Sequence, residues 1–60
     1  MYDSNYPIEQ AILKIREFIG KIVTYRWINR FDLNIEEEGR LQELIENLSM
    51  QIFELESKLS

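Results

Sequence analysis

The sequence predicts an all-α fold, an antiparallel hairpin of two helices that homodimerises into a four-helix bundle. Two observations predict the helices: apolar residues recur with a helical period in two segments of similar length, and the 60 residues include only two glycines and one proline. A third observation sets the architecture. The chain is long enough for a single domain, covering residues 1–60, and the short connection between the segments allows only an antiparallel pair.

Residues 1–6 are predicted to be a lead-in and residues 7–31 the first helix. Pro7 suits a first helical turn because its φ angle is fixed and its missing N–H would have no partner there. From Ile8 onward the apolar residues return about every 3.6 positions, so they share one face instead of alternating as in a strand. The predicted core residues of this helix are Ile8, Ala11, Ile12, Ile15, Phe18, Ile19 and Ile22.

Residues 32–34 are predicted to form the turn and residues 35–59 the second helix. Asn34 is the expected N-cap residue, with Glu37 three positions later as its capping-box partner. Acidic residues in the first turn also suit the positive end of the helix dipole. The predicted core residues of this helix are Leu41, Leu44, Ile45, Leu48, Ile52, Leu55 and Leu59.

One charge falls on the predicted seam between the helices. Pairing the helices outward from the turn sets Ile22 opposite Leu41 and Arg26 beside Glu37. A buried charge without a partner is costly, so we predict an ion pair between Arg26 and Glu37 that helps to fix the register. In the alternative, the Arg26 side chain extends into solvent at the open end of the seam.

A second apolar surface is predicted away from the seam. A chain this short buries only about 60 % of the surface that its unfolded form exposes, and two helices touching along one stripe leave most of each cylinder in water. Large exposed hydrophobic residues favour self-association or a protein partner, and a glycine among them lets another helix approach closely. In the alternative, Trp27 and Phe31 curl around the turn to cap the core. The predicted interaction surface comprises Leu13, Gly20, Trp27, Phe31, Met50 and Phe53.

The formal charge of −4 hides an asymmetry between the two helices. Residues 7–31 carry five basic and two acidic side chains, whereas residues 35–60 carry two basic and seven acidic ones. Opposite signs favour pairing of the helices. A second hypothesis is that the basic half, in which aromatic residues alternate with arginines over residues 25–31, binds RNA or DNA. The candidate nucleic-acid contacts are Lys14, Arg16, Lys21 and Arg30.

The composition argues against catalysis and cofactor binding. Without cysteine or histidine the chain has no disulfides, no thiolate ligands and none of the commonest acid–base groups. Pairs such as Glu37 with Glu38, or Glu43 with Glu46, have the spacing of metal ligands, but carboxylates at these spacings are common on solvated helix faces. We therefore expect no catalytic residue, metal ion, cofactor or small-molecule substrate.

In overall plan the predicted hairpin is similar to the Rop family of plasmid copy-number regulators. The likeness lies in chain length, the two-helix hairpin and the four-helix dimer, and because no motif is shared we transfer no RNA-contacting residue. We expect a non-enzymatic, homodimeric interaction or regulatory module in the cytoplasm, with no signal peptide and no membrane contact. The alternatives are a Rop-like RNA-binding regulator that uses the basic side of the first helix and a helical subunit of a larger hetero-complex.

Overall fold

The computed structural model describes residues 4–59 and contains two helices. Helix α1 comprises Tyr6–Ile28 and helix α2 comprises Ile35–Glu56, and they pack against each other. The prediction of an all-α helical hairpin is thus confirmed. The first three residues of the predicted lead-in lie outside the described residues.

Two side-chain contacts show that the helices run antiparallel. Arg26, near the end of α1, contacts Gln42 in the first half of α2, with 2.9 Å between Nη1 and Oε1. Arg16, in the first half of α1, lies 3.9 Å from Glu56 at the end of α2, measured from Nη2 to Oε2. The start of α1 and the end of α2 are therefore at one end of an elongated molecule, and the turn is at the other.

Helix α1 ends three residues before the predicted boundary at residue 31. Asn29 Nδ2 donates a hydrogen bond to the carbonyl of Tyr25 at 2.9 Å, and Arg30 Nη1 donates one to the carbonyl of Trp27 at 2.6 Å. Both carbonyls also accept a backbone amide, that of Asn29 at 3.0 Å and that of Arg30 at 3.4 Å, so the side chains add second donors to the carbonyls of the last turn. The connection therefore takes six residues, 29–34.

Helix α2 begins at the predicted residue and ends three residues before the predicted boundary at residue 59. The prediction of an Asn34 N-cap is confirmed, since its side-chain oxygen accepts a hydrogen bond from the Glu37 amide at 2.8 Å. At the other end Ser57, the first residue beyond the helix, donates from Oγ to the carbonyl of Glu54 at 2.6 Å.

The core is a narrow seam between the helices. Within residues 4–59 the buried hydrophobic side chains are Ile12, Ile22 and Ile52, which are 6 %, 7 % and 8 % exposed. Their predicted neighbours are only half-buried: Ile8, Ala11, Ile15, Ile19, Leu41, Ile45, Leu48 and Leu55.

Three residues predicted to be in the core are exposed. Phe18 is 50 % exposed, and Leu44 and Leu59 are also accessible to solvent. The prediction is wrong for these residues because a single neighbouring helix covers less than the full width of an apolar stripe that spans about 100° or more. Side chains at the margins of the stripe, or beyond the end of the helix, therefore remain in water.

Candidate functional site

The aromatic residues at the turn hold an arginine instead of covering the core. The guanidinium carbon of Arg30 lies 4.0 Å from the centre of the Trp27 ring and 4.5 Å from that of Phe31. Trp27 is 66 % exposed and Phe31 is 86 % exposed, so the alternative in which they cap the core is wrong. Cation–π attraction instead fixes both rings on the outer surface of the turn, where they present apolar area to solvent.

A shallow groove, here called the turn-end groove, lies beside this stack. It is lined by Val23, Arg26, Trp27, Arg30 and Glu38. Three of its five lining residues are charged, yet the indole and the valine give it an apolar wall, and Val23 is itself half exposed. The groove therefore combines an anchor for an apolar side chain with arginine donors next to it.

The predicted ion pair between Arg26 and Glu37 is not formed. Side chains on a helix lean toward its N-terminus, so Arg26 reaches back one turn to Gln42 instead of the residue at its own level. The two charges also lie on different sides of the hairpin: Arg26 lines the turn-end groove, whereas Glu37 lines a small groove with Tyr25 and Arg40. A neutral amide therefore satisfies the half-buried guanidinium.

A second groove, the terminal groove, lies at the opposite end of the molecule. It is lined by Glu9, Ile12, Leu13, Arg16, Glu56 and Leu59. The ion pair between Arg16 and Glu56 crosses it, with both side chains about half exposed, so it contributes little to stability. Phe53, 74 % exposed, precedes Glu56 by three residues and so occupies the adjoining position on α2.

The two grooves lie on the same side of the hairpin, called here the groove face. Arg16, Val23 and Trp27 of α1 follow one another at intervals of seven and four residues, which keeps them on one stripe of a helix. On α2, Glu38 and Glu56 are 18 residues apart, close to five full turns, and fall on one stripe in the same way.

The six residues of the predicted interaction surface are all exposed, but they do not form one patch. Trp27 and Leu13 line the two grooves of the groove face, and Phe31 extends the first of them. Met50 precedes Phe53 by three residues and lies further around the back of α2. The sixth residue, Gly20, lies seven residues from both Leu13 and Trp27, at the edge of the groove face, where it also lines a shallow depression on the outer side of α1.

The four candidate nucleic-acid contacts are not brought together. Arg16 is paired with Glu56 on the groove face, and Arg30 is stacked between two rings. Lys14 and Lys21, seven residues apart, follow a stripe on the opposite side of α1. That opposite side, called here the basic face, also carries Arg40.

Sequence reasoning omitted Val23 and Glu9 from the candidate site. Both line grooves of the groove face. Val23 could have been identified from its spacing. It precedes Trp27 by four residues, and residues four apart are neighbours on a helix surface. Glu9 carried no comparable signal, since its role depends on which residues of α2 lie across from it.

Within residues 4–59, no three acidic side chains cluster as they would around a metal ion. Neither α1 nor α2 combines the length and the apolar character required to cross a bilayer.

The chain was compared with known proteins at three levels. A scan against protein-family models, a search of curated proteins and a search of solved structures each found no match.

Proposed function

We propose that this chain is a small, non-enzymatic interaction or regulatory module of the cytoplasm that acts as a homodimer, with two hairpins forming a four-helix bundle. One observation carries the proposal. Residues 4–59 bury three isoleucines, while Trp27, Phe31 and Phe53 are 66 %, 86 % and 74 % exposed. Large aromatic side chains contribute most to binding when they enter a partner's pocket, and exposed apolar patches commonly mark such interfaces.

A second copy of the chain is the simplest partner for this surface. It brings the same exposed residues, so a two-fold arrangement removes both sets from water in one step. Residues that are half-buried in the single hairpin, such as Ile19, Ile45 and Leu48, would gain a second layer of neighbours in a bundle. Association would then complete a core that the hairpin alone leaves thin.

Light scattering of the full chain during size-exclusion chromatography tests this proposal. The expected particle has twice the chain mass of 7.3 kDa. A folded monomer at high micromolar concentration would contradict the proposal. An unfolded or aggregating chain would also contradict it, and would favour the alternative of a subunit that requires a different protein.

The RNA-binding alternative makes a separate prediction. Binding through phosphate contacts weakens steeply with salt, so retardation of total RNA in a gel should diminish between low and moderate salt. We expect no salt-sensitive shift, because the basic residues are divided between two sides of the hairpin and Arg16 already has an acidic partner. A shift that is lost in a Lys14→Ala, Lys21→Ala double variant would assign RNA binding to the basic face.

A further inference from the structure

We propose that the second copy docks on the groove face in antiparallel orientation, so that the turn of each hairpin lies over the termini of the other. In this arrangement α1 packs against α1 of the second copy and α2 against α2, related by a two-fold axis that passes near Gly20. The inference rests on the proposed homodimer and goes beyond it, because it names the docking surface, the orientation and the residue pairs in contact.

The apolar residues of α1 are arranged symmetrically for such a dimer. Leu13 and Trp27 each lie seven residues from Gly20, on opposite sides of it. Seven residues are about two helical turns, so both side chains stay near one side of the helix. An antiparallel copy therefore places its Leu13 against Trp27 twice in the same interface. Phe53 extends the apolar area of the terminal groove on the neighbouring helix.

The charges of the two grooves favour the same orientation. The turn-end groove carries Arg26 and Arg30 with one acid, Glu38, whereas the terminal groove carries Glu9 and Glu56 with one base, Arg16. Antiparallel docking sets a net positive groove over a net negative one. A parallel dimer would instead bring Arg30 near its own copy, and like charges in an interface are repelled.

The basic face is poorly suited to self-pairing. Lys14 and Lys21 lie on one stripe there, and Arg40 borders the adjoining groove. A two-fold dimer through this face would bring the lysines of both copies together. Arg40 has an acidic partner within its own helix, since its Nη2 lies 3.2 Å from Glu36 Oε1, but the lysines have no recorded salt bridge among the described residues.

Gly20 provides a third observation, because it lies midway along α1 between Leu13 and Trp27, at the edge of the groove face. A glycine inside a helix costs about 1 kcal/mol relative to alanine. Packing within the hairpin does not explain this residue, because a Cβ atom there would meet no atom within 4 Å, and its φ angle is not positive. A close approach of the two α1 backbones near the two-fold axis would explain why a glycine occupies this position.

Orientation can be measured with one spin label per chain. The sequence has no cysteine, so Asp32→Cys creates a single labelling site in the turn. The turn lies 12 residues from Gly20, and at 1.5 Å per residue the antiparallel dimer places the two labels about 35–40 Å apart. A parallel dimer would bring them within about 20 Å of each other, since both turns then share one end of the bundle.

Exchanging the charges of Arg30 and Glu9 tests the residue pairs. In the antiparallel dimer, Arg30 of each copy lies near Glu9 of the other. Arg30→Glu and Glu9→Lys each create two like-charge contacts in the antiparallel homodimer, and we expect each variant to dimerise about tenfold more weakly. An equimolar mixture of the two should recover dimers of mixed composition at near the original affinity, since both contacts are then of opposite charge. Glu43→Lys, the same change at an exposed position of α2 seven residues before Met50 and outside the groove face, is the matched control and should leave dimerisation unchanged.

The outcomes separate this inference from the proposed function. A monomeric chain would overturn both. A dimer with closely spaced turn labels, or one whose affinity is insensitive to the charge variants, would overturn the docking arrangement while leaving the homodimer intact. The long label distance together with recovery in the mixture supports both. Glu9→Lys keeps the test valid if Arg30→Glu disrupts the turn.

Discussion

Single side chains close the ends of both helices, and Asn34 is the clearest case. Its side chain accepts the Glu37 amide at 2.8 Å. We predict that Asn34→Ala lowers the free energy of unfolding by about 1 kcal/mol, because the first turn of α2 loses a capped donor. Urea unfolding measures the change. Asn47→Ala, an exposed position inside α2, is the control and should cause no loss; equal losses in both variants would contradict the role of the cap.

In the proposed dimer, Trp27 is the side chain on which the interface would depend most. We predict that Trp27→Ala weakens dimerisation by at least about tenfold, a typical loss for a central aromatic anchor. Analytical ultracentrifugation at several concentrations measures it. Met50→Ala removes a side chain of similar exposure, 63 % against 66 %, from outside the groove face and should have little effect. An unchanged dissociation constant in the Trp27 variant would show that the anchor lies elsewhere.

Residue-scale interactions could be predicted from the sequence when they are local. The Asn34 cap involves residues three apart, so the pattern alone located it. The Arg26 interaction joins residues 16 apart across two helices, and its partner depends on the lean of the side chain and on which side of the seam each residue occupies. Gln42 carries no charge signal that would have identified it.

At the scale of elements, hydrophobic periodicity predicted two helices but could not predict how much of each stripe would be covered. Phe18 and Leu44 fit the stripes as well as Ile12 does, yet they are exposed because the hairpin supplies one neighbour per helix. The end of α1 was also missed. At that end the Trp27 carbonyl accepts from the side chain and the amide of Arg30, and so is not left for the Phe31 amide that a longer helix would pair with it.

The two helical glycines give an element-scale prediction. A Cβ atom at either Gly20 or Gly39 meets nothing within 4 Å inside the hairpin. We predict that Gly39→Ala raises the free energy of unfolding by up to about 1 kcal/mol and leaves the dissociation constant unchanged. Gly20→Ala should raise the dissociation constant, because the added methyl group would lie where the two α1 helices approach in the proposed dimer. If both variants leave the dissociation constant unchanged, Gly20 does not lie in the interface.

At the scale of the whole molecule, the decisive feature is an elongated hairpin of 50 × 17 × 9 Å between Cα extremes with a core one seam wide. Chain length and composition predicted that such a hairpin would bury little, because a small domain has a high ratio of surface to volume. They could not predict which residues of the two helices would share a side. The cross-helix contacts show this, since they place Arg16 beside Glu56 on the groove face, the side on which we propose that the second copy docks.

The central claim is that folding is coupled to association, and the concentration dependence of thermal unfolding tests it most directly. Association with a second copy stabilises the folded state by mass action. We predict that the Tm, followed by circular dichroism, rises by several degrees over roughly a hundredfold increase in protein concentration. A Tm that stays constant across this range, with the mass of a single chain at its upper end, would contradict the account.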